Sequence, residues 1–244
     1  MSVALTASDV LSVWERGRDR HLVDRALLIL AAAYPELGDD ELPALSLGRR
    51  DARLLDVRSA TFGPRLDATA GCPRCGVALE FSLEAGQVRL PPAAALTEPW
   101  TWSLDDYVFR LRCPHSGDLA DAVASGSADT ARRRLLAGCV LEAAHAGRSV
   151  ALDALPAAVV DAVVGQIAET DPQADITLRL ACSECGHGWD AAFDIASFLW
   201  AEIAARARQL VYEVHALARR YGWREADILA MSPARRQLYL EVGV

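Results

Sequence analysis

The 244-residue sequence contains neither lysine nor asparagine, so all 25 of its basic residues are arginine. Because the codons of lysine and asparagine are A-rich, we attribute both absences to GC-rich coding and give the abundance of arginine and alanine little functional weight. Acidic residues number 33, which makes the formal net charge −8. This charge repels nucleic-acid backbones and anionic lipids, so the composition argues against both as partners.

Long apolar runs are absent too. The most apolar stretch, residues 26–34, is far shorter than the roughly 20 residues that a membrane span requires. The N-terminal residues 1–10 lack the basic and then apolar pattern of a secretory signal. We therefore predict a cytoplasmic protein with no membrane partner. In that compartment disulfides are disfavoured, and paired cysteines indicate metal or redox chemistry.

Familiar catalytic motifs are missing as well. The sequence has no glycine-rich phosphate loop, no His-Glu-x-x-His and no Gly-x-Ser-x-Gly. Its acidic clusters, residues 39–41 and 105–106, fall in turn-like stretches where solvation and capping account for them. We predict that the protein is not an enzyme. A catalytic site within the segment between the two cysteine pairs is kept as an alternative.

Apolar residues recur at helical spacing through much of the chain, which predicts a mainly helical protein. A capping box at Thr6 and Asp9 opens the first helix, and Gly222 ends a long one that starts at Ile195. The predicted helices cover residues 6–16, 20–34, 49–60, 117–124, 128–146, 156–170, 195–221, 224–231 and 232–240. Predicted strands cover residues 77–83, 107–112, 175–180 and 189–195, and a proline- and alanine-rich connector covers 91–99.

Two Cys-x-x-Cys pairs carry the strongest chemical signal. They are Cys72 with Cys75 and Cys182 with Cys185, and each pair is followed by glycine. Residues spaced in this way can supply adjacent corners of a tetrahedral metal site when the backbone turns sharply, and the glycine permits that turn. With a strand after each pair, the pattern predicts a zinc ribbon in which the four thiolates hold one structural zinc. A closed thiolate site also accepts iron.

The cysteines and histidines also permit other interpretations, for which the sequence signals are weaker. A thioredoxin-like redox pair is the main rival for the cysteines, but it requires a helix directly after the motif, where strands are predicted here. Cys113 and His115 could form a further metal pair, although an isolated Cys-x-His is more often a turn. His187 is a spare ligand candidate beside the second pair, and Cys139 is expected to be a small buried apolar residue.

The predicted fold class is α+β and mainly α. It consists of a helical body, a C-terminal helical arm and a small zinc ribbon. The two Cys-x-x-Cys turns of the ribbon, its knuckles, are separated by a helical insertion. No tandem repeat is apparent. The predicted segments are an N-terminal helical region at 1–66, a zinc ribbon at 67–90 plus 175–194, an insertion at 91–174 and the arm at 195–244.

The arm resembles the baseplate hub assembly chaperone family of T-even-type phages, whose relatives are encoded with phage tail-like contractile injection systems. The resemblance is firmest over about the last fifty residues and is carried by segments 193–203, 213–223 and 228–240. It includes a His-x-Leu-Ala-x-x-Tyr-x-Trp helix end at 215–223 and an Ile-Leu-x-Met helix with Arg236 and Tyr239. Weaker similarity extends through residues 47–75 and 116–119. The two cysteine knuckles suit a longer, ribbon-bearing branch of that family.

The resemblance implies an accessory role in building a baseplate, through binding of hub, spike or baseplate proteins. The arm has a positive net charge and bears aromatic and arginine residues of the types enriched in interfaces, so we predict that it contacts the partner. The candidate contact residues are Tyr221, Trp223, Arg235, Arg236 and Tyr239. The same aromatic residues would serve equally well for packing between helices. A zinc-ribbon nucleic-acid-binding or regulatory protein is the alternative function.

Overall fold

The structure is a computed structural model that describes residues 4–38, 40–90 and 99–242. All of the predicted connector except Pro99 lies outside these residues, as does Asp39 of the first acidic cluster. The helices, in chain order, are α1 Ala7–Gly17, α2 Leu22–Ala33, α3 Glu41–Ala44, α4 Leu47–Phe62, α5 Ala85–Val88, α6 Ser116–Val123, α7 Ala128–Cys139, α8 Ala157–Thr170, α9 Ile195–Tyr221, α10 Glu225–Leu229 and α11 Pro233–Glu241.

The strands form three antiparallel sheets. Their bounds are β1 Arg65–Gly71, β2 Ala78–Glu84, β3 Trp100–Leu104, β4 Tyr107–Leu111, β5 Val140–His145, β6 Arg148–Ser149, β7 Ile176–Ala181 and β8 Gly188–Phe193. β1 pairs with β2, β7 pairs with β8, and β3 to β6 form a four-stranded sheet in sequential order. Helices hold 56% and strands 20% of the described residues, which confirms a mixed, mainly helical fold.

The chain divides into two compact units. The first contains residues 1–37, 56–63 and 194–244, and the second contains residues 38–55 and 64–193. α4 therefore contributes its first part to the second unit and its last part to the first unit. Among the described residues, no helix has both the length and the apolar character that crossing a bilayer demands.

α9 is the central element of the first unit. Its 27 residues begin at the N-cap Asp194 and end at Gly222, which adopts a left-handed φ of 69° as predicted. α1, α2, α10 and α11 all pack against it. The core contains fully buried aliphatic side chains at Ile29, Leu30, Leu199, Ile203, Leu210 and Leu217. The predicted capping box of α1 is present, with Thr6 and Asp9 bonding reciprocally.

The four-stranded sheet carries the apolar core of the second unit. Phe109 and Leu111 of β4 are completely buried, and the cluster includes Leu136 of α7 and Val163 of α8. Cys113 is also part of it and is 3% exposed. This sheet lies within the segment that was predicted to be mostly helical, and of its four strands only β4 was predicted.

The predicted helix over residues 128–146 is wrong in its second half. α7 ends at Cys139, and β5 then pairs with β4 from Val140 to His145. Ala146 and Gly147 both take positive φ angles, 47° and 77°, in the turn between β5 and β6. Gly147 therefore closes a hairpin and does not end a helix. The predicted helices near 117–124 and 156–170 are confirmed as α6 and α8.

A carboxylate satisfies the N-terminal end of α4. The backbone N–H of Gly48 donates to Asp171 Oδ2 at 2.8 Å, where the positive end of the helix dipole favours a negative charge. A Cβ at Gly48 would lie 2.0 Å from the other carboxylate oxygen. The contact therefore requires glycine at this position.

The segment between the β1–β2 hairpin and the β7–β8 hairpin begins and ends at neighbouring points of the second unit. Gln173 is buried and lies just before β7, while Leu90 and Val88 follow β2. The side-chain amide of Gln173 accepts a hydrogen bond from Leu90 N at 2.7 Å and donates one to Val88 O at 3.0 Å. This one side chain fixes both ends of the insertion within the second unit.

Candidate metal centre

The first cysteine pair forms a tight turn between β1 and β2. The N–H of Cys72 donates to the carbonyl of Val77, and the N–H of Gly76 donates to the carbonyl of Cys72, each at 2.9 Å. Gly76 has a φ of 76°, which a residue with a Cβ rarely adopts. The turn brings the side chains of Cys72 and Cys75 to the same side.

The second pair repeats this turn between β7 and β8. The N–H of Cys182 donates to the carbonyl of His187 at 2.9 Å, and the N–H of Gly186 donates to the carbonyl of Cys182 at 3.0 Å. Gly186 has a φ of 68°. Both glycines thus serve the purpose that their position in the sequence predicted.

The two turns bring all four sulfur atoms together. Cys72 Sγ lies 3.7 Å from Cys185 Sγ, and Cys75 Sγ lies 3.6 Å from Cys182 Sγ. All four sulfurs lie within 4.8 Å of one another. A tetrahedral ion with metal–sulfur bonds of about 2.3 Å places its sulfurs about 3.8 Å apart. The four thiols therefore fit a single tetrahedral cation.

Within residues 4–38, 40–90 and 99–242, no other group of three or more histidine, cysteine, aspartate or glutamate side chains has this geometry. Cys72 and Cys182 are buried, Cys185 is half-buried and Cys75 is exposed. The first cysteine of each pair thus faces inward. Four thiolates complete a tetrahedral shell without water, so the arrangement suits a structural ion and offers no open position for catalysis.

The local environment gives three of the thiols different pKa values. Desolvation raises the pKa of Cys72, but backbone N–H donors at residues 74 and 75 and the adjacent thiols together lower it to about 7. A hydrogen bond from the Val77 N–H lowers the pKa of Cys75, but desolvation and the neighbouring thiols outweigh it and raise that pKa to about 12. The pKa of Cys185 is raised in the same way despite a bond from the His187 N–H. A metal ion binds the deprotonated form of cysteine, so a shared cation would offset the repulsion between neighbouring thiolates.

The two hairpins are structurally equivalent halves. β1 pairs with β2 from Leu66 with Leu83 onward, and β7 pairs with β8 from Ile176 with Phe193 onward, in the same register relative to their cysteines. An acidic N-cap follows each hairpin, Glu84 at α5 and Asp194 at α9. When residues 66–84 are aligned with 176–194, only the two cysteines and the glycine are identical. Beyond the two Cys-x-x-Cys-Gly motifs, the equivalence of the hairpins is therefore not apparent from the sequence.

The other candidate ligands have different roles. His115 is the N-cap of α6, where its Nδ1 accepts a hydrogen bond from the Asp118 N–H at 3.3 Å. Cys113 packs in the apolar core of the second unit, and Cys139 is 2% exposed, as expected for a small apolar residue. The ring of His187 stacks near Trp189, with centroids 6.3 Å apart. None of these residues belongs to the cluster of four sulfurs.

Three of the predicted partner-binding residues form an aromatic cluster at the end of α9. The rings of Tyr221 and Trp223 stack with centroids 4.4 Å apart, and Tyr239 meets both rings edge-on. The hydroxyl of Tyr221 also donates to the carbonyl of Tyr239 at 3.2 Å. The cluster joins α9 to α11, which is the packing role that the sequence had left open. All three residues are half-buried and keep part of their surface exposed.

The two adjacent arginines of α11 point to different environments. Arg236 is 1% exposed, and it donates to Glu213 Oε2 at 2.9 Å and to the carbonyl of Met231. Its guanidinium is used inside the protein, so a partner-facing role for Arg236 is wrong for this structure. Arg235 is exposed and lies over the ring of Tyr239 at 5.7 Å. Sequence periodicity did not distinguish the two.

Comparison with known proteins identifies the family. The model of the family described as T4 bacteriophage base plate protein matches residues 9–200. No match was found among curated proteins or among solved structures. The matched range contains both cysteine pairs but ends at Trp200, so the motifs at 215–239 that carried the resemblance lie outside it. Since the match covers well over half of the sequence, the chain belongs to the T4 bacteriophage base plate protein family.

Proposed function

We propose that this protein is a non-enzymatic assembly chaperone or adaptor for the baseplate or hub of a phage tail-like contractile injection system. The observation that carries the proposal is the family match over residues 9–200. Baseplates are built from many protein–protein contacts, and a family member with an accessory role must bind other proteins of the same particle. Hub, spike and baseplate proteins are the expected partners.

The proposed metal is a structural zinc held by Cys72, Cys75, Cys182 and Cys185. Sulfur separations of 3.6 and 3.7 Å support a tetrahedral ion, and zinc is the usual occupant of a closed four-cysteine site in a protein. Each isolated two-stranded hairpin would be marginal in water by itself. The ion would therefore supply much of the stability of the two hairpins.

A binding role is also supported by the chemistry of the described residues. The four-sulfur cluster leaves no coordination position for a substrate, and the two carboxylates with a lowered pKa, Asp118 and Glu213, are paired with arginine. The exposed part of the aromatic cluster at Tyr221, Trp223 and Tyr239, with Arg235 beside it, has the composition of an interface. We propose this surface as one contact site.

The test is a gene deletion in cells that produce the particles. We expect the deletion to abolish or strongly reduce assembled baseplates in electron micrographs, and wild-type protein supplied from a plasmid to restore them. Tagged protein should co-purify with identified hub, spike or baseplate proteins. Quantitative mass spectrometry of finished particles then separates the two roles, because a chaperone is absent from them and an adaptor is present in fixed stoichiometry.

Two outcomes would contradict the proposal. Normal numbers of functional particles in the deletion strain would rule out a required assembly role. Retention of the purified protein on DNA or heparin at low salt, with no baseplate protein recovered, would favour the nucleic-acid-binding alternative.

A further inference from the structure

α9 has a second, outward-facing stripe on the side opposite its core contacts. Exposed residues recur along it at spacings of four and three, namely Ala201, Ala205, Arg208, Tyr212, His215 and Arg219. We call this stripe the outer face of α9. Tyr212 is 76% exposed, and Val211 beside it is 51% exposed. A large aromatic and an aliphatic side chain are therefore presented to solvent at the centre of the longest helix.

The charge on this face has one sign. Two arginines, Arg208 and Arg219, lie on the outer face, and the single acidic residue of the helix between Ile203 and Tyr221 is Glu213. Glu213 is turned inward, where it pairs with Arg206 at 2.6 Å and with Arg236 at 2.9 Å. It does not offset the exposed arginines on the outer face. In a protein with a net charge of −8, the outer face of α9 thus carries two arginines and no acidic residue.

The spacing of the outer face fits another helix. Apolar residues that recur at intervals of three, four or seven form the seam along which two α-helices pack side by side, and Ala201, Ala205 and Tyr212 take such positions here. From Ala201 to Arg219 the seam is about 27 Å long at 1.5 Å per residue. Small side chains lie at one end of it, an aromatic anchor lies near the middle, and arginines flank that anchor.

We propose that the outer face of α9 binds an amphipathic α-helix with acidic flanks, contributed by a baseplate protein. The proposal rests on the proposed function for the class of partner, and on charge complementarity and helical spacing for its chemistry. Tyr212 and Val211 provide the apolar contact, and Arg208 and Arg219 pair with carboxylates on either side. Protein is favoured over nucleic acid because an apolar centre suits a helix and because the overall charge repels phosphates.

Site-specific photo-crosslinking in particle-producing cells tests this assignment. Benzoylphenylalanine placed at position 212 should form an adduct whose partner peptide has a net negative charge and a heptad pattern. The same group at position 132, an exposed site on α7, provides the matched control. We expect at least 10-fold more adduct from position 212 than from position 132.

Charge-reversal variants provide a second test, in which crosslinking from position 212 is repeated. R208E/R219E should reduce the adduct at least 10-fold, because it places like charges opposite the acidic helix. R132E/R133E makes the same change in net charge on the exposed surface of α7 and should leave the adduct within 2-fold of wild type. Circular dichroism and metal content establish that both double variants are folded.

Several results would overturn the proposal: an adduct with nucleic acid or a basic segment, an adduct that survives R208E/R219E, or no adduct above the control. Particle counts separate this failure from failure of the proposed function. If the deletion strain lacks particles but R208E/R219E restores them fully, only the outer-face assignment is wrong. If the deletion strain assembles particles normally, the proposed function itself is wrong.

Discussion

Arg236 of α11 donates its Nε–H to Glu213 of α9 at 2.9 Å, in a site where the arginine side chain is 1% exposed. Arg206, two turns before Glu213 on α9, donates to the same carboxylate at 2.6 Å. The carboxylate therefore lies between two guanidinium groups. This arrangement fixes α11 to α9 and gives the first unit a charged contact in addition to its aliphatic core.

Replacement of Arg236 by methionine should lower the free energy of unfolding by about 3 kcal/mol. Removing one member of a buried ion pair leaves the other desolvated, and the loss is at the low end of the usual range because Arg206 still pairs with Glu213. Chemical denaturation measures the change. Arg235→Met is the matched control, since that side chain is exposed, and it should cost less than about 0.5 kcal/mol. Equal losses of unfolding free energy in the two variants would show that the buried Arg236–Glu213 pair adds no stability beyond that of an exposed arginine.

The pH dependence of stability should report the same site. Partial burial raises the pKa of Glu213, but hydrogen bonds from Arg206 and Arg236 outweigh burial, so its pKa lies below the ordinary value of 4.5. A lowered pKa contributes stability that is present above the ordinary value and is lost as the pH falls through the folded-state pKa. Asp118, paired with Arg112, also has a lowered pKa and acts in the same direction.

We therefore expect the free energy of unfolding to fall as the pH drops below about 4.5, and Glu213→Gln to reduce the slope of that fall. Denaturation curves collected at half-unit intervals of pH measure both slopes. An unchanged slope in Glu213→Gln would mean that Glu213 titrates alike in the folded and unfolded states.

We expect replacement of a cysteine in the candidate metal centre and replacement of a cysteine elsewhere to differ in their effect on metal content. Cys182→Ser should lose the bound ion and lower the melting temperature by at least 10 °C, because one ligand is lost from a closed tetrahedral site. Cys113→Ala removes a buried cysteine of the apolar core and should keep one ion per chain. Elemental analysis by plasma mass spectrometry measures the metal content of both. Wild-type protein that carries no stoichiometric metal would exclude the site.

Gly48 and Gly165 should respond to alanine in opposite directions. At Gly48 a methyl group would collide with Asp171 and remove its hydrogen bond to the helix N-terminus, so we expect a loss of about 1–3 kcal/mol. At Gly165, inside α8, no atom lies within 4 Å of the added Cβ, and alanine should stabilise by up to about 1 kcal/mol. A stabilising effect at both positions would show that the Asp171 side chain can move away from residue 48 at no cost in free energy.

Local sequence signals predicted those parts of the fold that depend on neighbouring residues. Thr6, Gly222 and the glycine after each cysteine pair act through short-range constraints, and the structure confirms the helix cap, the helix end and the two turns that they predict. The strand from Val140 to His145 was predicted as helix because Ala143 and Ala144 favour helices. Its pairing with β4 is a long-range contact that overrides this preference.

Long-range relations account for the other differences. β1 was not predicted, although its polar and apolar residues alternate as in a strand, because two of its three apolar positions are alanine, which has a low strand propensity. The equivalence of the two hairpins depends on backbone register, and their aligned sequences share only the two cysteines and the following glycine. Similarly, the inward direction of Arg236 depends on the position of Glu213, which lies in another helix. The clustering of the four cysteines could thus be predicted, whereas the structural equivalence of the two hairpins could not.

The separation of the two knuckles in the chain imposes an order on biosynthesis. Cys72 and Cys75 leave the ribosome about 100 residues before Cys182 and Cys185, which corresponds to roughly 5–20 s of translation. During that interval the first pair offers only half of a coordination shell and cannot retain an ion tightly. Capture of the proposed ion would therefore follow synthesis of the β3–β6 segment, and a chain truncated within that segment would lack two of the four cysteines.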